Sequence, residues 1–142
     1  MTLHLQVTRD IKRPLAKVFH FFAAEHHLNH PRWDPDIELW KTTDAPIGVG
    51  TVLKRRNSRS GTPVDGTMEI VEYEQDKLFG VIIHDGPMEI RSRAAFEAPT
   101  TDRTIITIDI EIPLMDESMK DFLLSRLDRS DRNMKRLMES EL

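Results

Sequence analysis

Cysteine is absent from all 142 residues, which excludes disulfides, thiolate nucleophiles and Cys-based zinc sites. A cytoplasmic setting fits that absence. Long hydrophobic runs are missing too. No stretch approaches the 18 or so apolar residues that a membrane span requires, and MTLHLQVTRDIKRP contains no apolar, cleavage-like leader. The expectation is an unexported chain with no stable membrane insertion. Positive charge is not in excess, because 20 Lys and Arg stand against 24 Asp and Glu for a net charge of −4. The field that draws proteins to phosphate backbones is lacking, so no nucleic-acid partner is expected. Tyrosine occurs once, at Tyr73.

The length suits one domain, 1–142, large enough to hold a core without staples. LHLQVTRDI alternates apolar and polar residues as a half-buried antiparallel strand does, with Leu3, Leu5, Val7 and Ile11 on one face. Pro14 opens a short helix, in which Leu15, Val18, Phe19, Phe22 and Ala23 recur at helical spacing to about Glu25. One further turn fits before Pro31 and Pro35, which bias their predecessors away from helix. Six strand-like runs follow at 37–42, 51–58, 64–73, 78–85, 88–97 and 104–112, separated by turns too short for crossover helices. They read as an antiparallel meander. The chain ends in one amphipathic helix, 117–141, whose stripe is Met119, Phe122, Leu123, Leu127, Met134, Leu137 and Met138. The fold class is α+β: a curved, seven-stranded antiparallel sheet around a long C-terminal helix, in the order β-α-α-β6-α. A rod some 37 Å long against a bent sheet leaves space between them.

That order resembles the helix-grip fold of the START-like, or SRPBCC, superfamily. The local wording is similar to its polyketide cyclase/dehydrase and lipid-transport branch: Ile11-x-x-Pro14-x-x-x-Val18-Phe19, Trp33-Asp34-Pro35, Pro46-Ile47-Gly48-Val49-Gly50-Thr51, and Val71-x-Tyr73-Glu74. The resemblance covers nearly the whole chain. It implies a Gly-x-Gly that serves a turn, a Trp-Asp-Pro that forms a helix exit and a lid over a cavity mouth, and an internal cavity. Cargo differs across the superfamily, from lipids and hormones to quinones and aromatic precursors, so the fold does not settle the chemistry.

Several residues invite chemical readings. His26 and His30 stand one helical turn apart and could ligate zinc, but the near carboxylates Asp34 and Asp36 sit beyond prolines in an expected loop. His26, His27 and His30 are read as a solvated, pH-sensitive loop instead. Gly48-x-Gly50 precedes a strand, not a helix, and so makes no phosphate site. If Lys54 and Arg56 face water, alternation turns Arg55 inward beside Leu53. There Arg55 either forms a buried salt bridge or holds a carboxylate or enolate of a ligand. His84 and Asp85 end a run whose two faces, Leu78/Ile82 and Phe79/Val81/Ile83, are both apolar, so the register stays open and one of the two leans inward. His84 would then be a general base in the cavity or the cap of a hairpin. Tyr73 is a polar handle in the pocket or an edge residue. Arg126 lies on the apolar stripe of the last helix, where its stem snorkels to water or its charge reaches the ligand.

The expected site is an apolar cavity of roughly 300–1,000 Å³. Phe22, Trp33, Leu53, Met68, Met88 and Ile90, with Phe96, Ile108, Phe122 and Leu123, would supply buried area. Arg55, Tyr73, His84 and Arg126 would orient polar ends. The leading reading is binding of a small hydrophobic molecule: a lipid, a polyketide-like compound or an aromatic. An enzyme of cyclase, aromatase or dehydratase type would need an acid/base pair, such as His84, Tyr73 or Asp65 near Arg55. An interaction module of the chaperone-activator kind would show a filled interior and an exposed apolar patch. No metal, nucleotide or other cofactor is implied, and the assembly is expected to be a monomer or homodimer.

Overall fold

Seven strands and three α-helices succeed one another along the computed structural model, which describes residues 2–142. Strand β1 (Thr2–Ile11) leads into α1 (Leu15–Phe19), a π-helical turn (His20–Ala24) and α2 (His26–Trp33). Strands β2 (Ile37–Trp40), β3 (Val52–Asn57), β4 (Val64–Glu74), β5 (Leu78–Asp85), β6 (Met88–Thr100) and β7 (Arg103–Pro113) follow, and α3 (Lys120–Glu141) closes the chain. The strands form one antiparallel sheet in the order β1-β7-β6-β5-β4-β3-β2. Short connections dictate that order: each strand from β2 to β6 pairs with its successor, and β1 closes on β7. Among the described residues no helix is long and apolar enough to cross a membrane.

Residues directly opposite one another on antiparallel strands share a face of the sheet. The turn Gly86-Pro87 sets Asp85 opposite Met88, and this resolves the open register of β5. Met88 belongs to the inward set of β6, so Phe79, Val81, Ile83 and Asp85 point inward with it. His84 points out.

The helical segment after β1 departs from expectation. Glu25 N–H bonds to His20 C=O at 3.0 Å, a widened turn that carries Phe21, Phe22 and Ala23 all into the interior. Helix α2 then continues through Pro31 to Trp33 and does not stop before it. Pro31 forgoes one backbone bond, but packing holds the turn on both sides of it. Asp34 N–H still reaches His30 C=O at 3.0 Å, Asn29 Nδ2 donates to Phe21 C=O at 2.9 Å, and Trp33 stacks on Phe22 at 5.5 Å.

Helix α3 enters through one 3₁₀ turn, Glu117–Met119, capped by the Asp116 carboxylate. Its apolar stripe has two fates. Met134 and Met138 are completely buried in one cluster with Val18, Phe19, Phe96 and Ile106, whereas Phe122, roughly three to four turns earlier, is 53% exposed. The C-terminal half is therefore core. The N-terminal half, about 15 Å of rod, leans on β1 and β7 through Leu123 and Leu124, which pack against Leu3, Leu5 and Ile112, and leaves a hollow beside that seam.

Candidate functional site

A cavity of about 440 Å³ lies under the N-terminal half of α3. Its wall is mainly apolar: Met68 from β4, Phe79, Val81 and Ile83 from β5, Ile90 and Ala94 from β6, Ile108 and Ile110 from β7, and Leu123 and Leu127 from α3. Met88, Met119 and Phe122 line it while remaining partly exposed, so the cavity opens to solvent on their side. At the far end four aromatic rings meet. His26 lies 4.9 Å from Phe79, and Trp33 stacks on Phe22.

A polar corner interrupts this lining. Arg55 and Asn57 project inward from β3, two residues apart, and both hold Asp85 of β5: Arg55 Nε donates to Oδ1 at 2.9 Å and Asn57 Nδ2 to Oδ2 at 3.0 Å. The Arg55 side chain is only 3% exposed, and its Nη1 has no partner. Beside it stand His26 and His30, one turn apart on α2, with their rings stacked at 4.7 Å. His26 Nδ1 donates to Phe22 C=O at 2.8 Å, since a carbonyl can only accept, which leaves Nε2 as an acceptor. His30 is only partly buried as a residue, but its Nδ1 is sealed from solvent without a partner. Burial first, with the Arg55 charge adding to it, lowers His26 to about 4; burial, then His26 and Arg55, holds His30 well below the usual imidazole value. Two stacked rings this close disfavour a charge on both at once.

Charges elsewhere on the wall are paired. Arg59 bonds to Asp34 at the end of α2, and Arg9 of β1 holds Asp131 of α3 at 2.7 Å. Burial raises the Asp131 carboxyl to about 6, against the pull of Arg9. Arg126 sits at the opening, its guanidinium 5.5 Å from the Phe122 ring and 3.8 Å from Asp36. Among the described residues no group of three or more His, Asp and Glu side chains could hold a metal ion.

Of the residues singled out from the sequence, Phe22, Trp33, Arg55, Met68, Met88, Ile90, Ile108, Phe122, Leu123 and Arg126 line this one cavity. Four do not. Leu53 is inward but wholly buried, and Phe96 packs on Phe19 at 5.0 Å in the closed end of the core. Tyr73 lies beyond the β-bulge between Ile70 and Glu72 and edges against Phe19 and Phe79 at 5.5 and 6.1 Å. His84 is on the outer face, 3.2 Å from Glu89, which also binds Arg91. Asp65 is outside as well, bonded to Arg56 at 2.8 Å. No acid/base set of His84, Tyr73 or Asp65 therefore forms near Arg55. Trp33 is no lid; at 3% exposure it belongs to the inner wall. His26 and His30, read as a solvated loop, are cavity wall. The signal for them was the spacing Phe22, His26, His30 and Trp33, which Pro31 masked.

No family model and no curated protein matches the sequence. Solved structures do. The chain superposes on Ara h 8.0201 with a TM-score of 0.76 at 16% identity, over 99% of this chain and 100% of that one. A START superfamily protein from Mycobacterium smegmatis gives 0.75 at 12% identity, over 98% and 99%. The fold is helix-grip. Norcoclaurine synthase from Thalictrum flavum, solved in complex with dopamine and hydroxybenzaldehyde, gives 0.71 at 13% identity, over 100% of this chain and 89% of that one. Identities of this size carry the helix-grip architecture and no chemistry.

Proposed function

We propose that the protein binds a small, predominantly apolar molecule in the cavity between the sheet and α3, with one polar end at the Arg55 corner. The carrying observation is a 440 Å³, mainly apolar chamber whose wall includes one polar corner, Arg55, Asn57 and Asp85. An apolar chamber with a few convergent polar groups is the usual form of a small-molecule site. The helix-grip likeness to a synthase solved with two small aromatic compounds supports the same reading. An interaction module that works only through its exterior has no need of such a chamber. Absence of cysteine supports a reducing, cytoplasmic setting for one domain of 142 residues.

Native mass spectrometry of freshly purified protein tests the reading. A co-purified apolar adduct is expected or, after stripping, saturable one-to-one uptake of the neutral dye N-phenyl-1-naphthylamine. Protein that carries no adduct and leaves the dye dark overturns it.

A further inference from the structure

Every methionine of the chain except Met1 lies among the described residues, and burial divides them into two sets. Met134 and Met138 are sealed in the core, and Met68 is only 1% exposed although it lines the cavity. Met88 and Met119 differ. Both line the cavity, yet Met88 is 41% and Met119 37% exposed, so each sulfur-bearing side chain meets the chamber on one side and water on the other. They come from two connections at the opening: Met88 follows the Gly86-Pro87 turn into β6, and Met119 ends the 3₁₀ turn that leads into α3. Met115, from the same passage, also lines the cavity but is half-buried beside the Leu3, Leu5 and Ile112 cluster.

A water-accessible thioether takes an oxygen atom from hydrogen peroxide: the S–O bond forms as the O–O bond breaks, sulfur is oxidised, and the peroxide leaves as water. Access decides which sulfur reacts. No thiol competes for the oxidant, because the chain has no cysteine. The product is a sulfoxide, which turns a flexible apolar side chain into a polar one. At the opening its oxygen is hydrated while the chamber is empty, and an apolar molecule seated against it displaces that water without replacing the hydrogen bond. Affinity then falls, while the core methionines keep the fold.

Resting on the binding function proposed above, we infer that Met88 and Met119 form a peroxide-modified site, at which conversion to sulfoxides lowers the affinity of the cavity for its apolar ligand.

Limited hydrogen peroxide treatment, followed by peptide mass mapping and titration with N-phenyl-1-naphthylamine, tests this. Oxygen is expected at Met88 and Met119 before Met68, Met134 or Met138. The protein oxidised at those two positions should bind the dye roughly tenfold more weakly, a difference of about 1.4 kcal/mol, with its melting transition retained. Met88→Gln combined with Met119→Gln, which supplies a polar amide in place of the sulfoxide, should weaken uptake without any peroxide. In Met88→Leu combined with Met119→Leu the ratio of dye affinities before and after peroxide should stay near one, whatever that variant's own affinity. Earlier oxidation of the three buried sulfurs, undiminished affinity once Met88 and Met119 carry oxygen, a loss that appears only with unfolding, or the same loss in the leucine variant overturns the assignment and leaves the binding function standing. Untreated protein that leaves the dye dark removes the binding function itself, and the modified site falls with it.

Discussion

Arg55 bonds to Asp85 across an intervening strand: the Nε to Oδ1 distance is 2.9 Å, although Gly66 of β4 stands between them in register. The absent side chain at Gly66 leaves that passage open. The pair is buried, so removing one partner strands the other charge. Asp85→Ala is expected to destabilise the protein by about 3–5 kcal/mol, while Arg55→Met combined with Asp85→Leu recovers most of the loss. Urea unfolding of the three proteins checks this; equal losses in the single and double variants would contradict it.

Gly66 is constrained from a second side. A Cβ there would lie 1.8 Å from the His84 carbonyl oxygen, a backbone atom that cannot move without breaking the β4–β5 pairing. Gly66→Ala should therefore cost about 3 kcal/mol or more. A thermal melt within one or two degrees of the parent would show that β4 adjusts freely.

Acid should loosen the fold through α2. Burial lowers His26 from 6.5 to about 4, and His30 moves the same way. The unfolded chain then binds protons more readily than the folded one, so the stability these rings contribute is complete above about pH 6.5 and is lost as pH falls; for His26 alone this is worth roughly 3 kcal/mol. Asp131 acts in the opposite sense. Its carboxyl rises from 3.8 to about 6 through burial, so the folded form takes the proton first and gains stability as pH falls through 6. Asp131→Asn removes that offset. Its urea midpoint should drop more steeply than the parent's between about pH 6 and about pH 4.5, and parallel curves would refute the assignment.

Ser92 faces the cavity from β6. Filling the space with Ser92→Leu is expected to lower dye uptake roughly tenfold and to leave unfolding within about 1 kcal/mol of the parent. Undiminished uptake would mean that the dye binds elsewhere.

Arg126 connects α3 to the loop after α2 through Asp36, 3.8 Å away at the cavity opening. The pair is largely solvated and contributes under about 1 kcal/mol to stability. Arg126→Leu should keep the melting temperature and speed dye release several-fold in stopped-flow dissociation. Unchanged release would confine Arg126 to snorkelling over Phe122.

The architecture was legible because its signals are local and repeated. Alternation in β1, β6 and β7 specifies which side chains go in, the short turns allow only a meander, and the long terminal stripe requires one helix to cover one sheet. Arg55 was readable by the same means, since Lys54 and Arg56 on either side fixed its direction. Asp85 was within reach as well: a two-residue turn ties it to Met88, whose inward direction was already clear. His26 and His30 were harder. Pro31 is a local signal against helix, and it was outweighed by Trp33, whose stacking on Phe22 is a contact between turns that no window of sequence displays.

Pattern and turn length alone thus determined the number of strands, their antiparallel course, the covering helix and the inward arginine, because each depends on neighbours within a few residues. Tertiary structure alone decided that two imidazoles form wall and not loop, and that α3 packs tightly at Met134 yet leaves Phe122 exposed at the cavity opening. Those outcomes depend on which distant surfaces meet, and whether they meet closely or leave a hollow is a property of the packed whole.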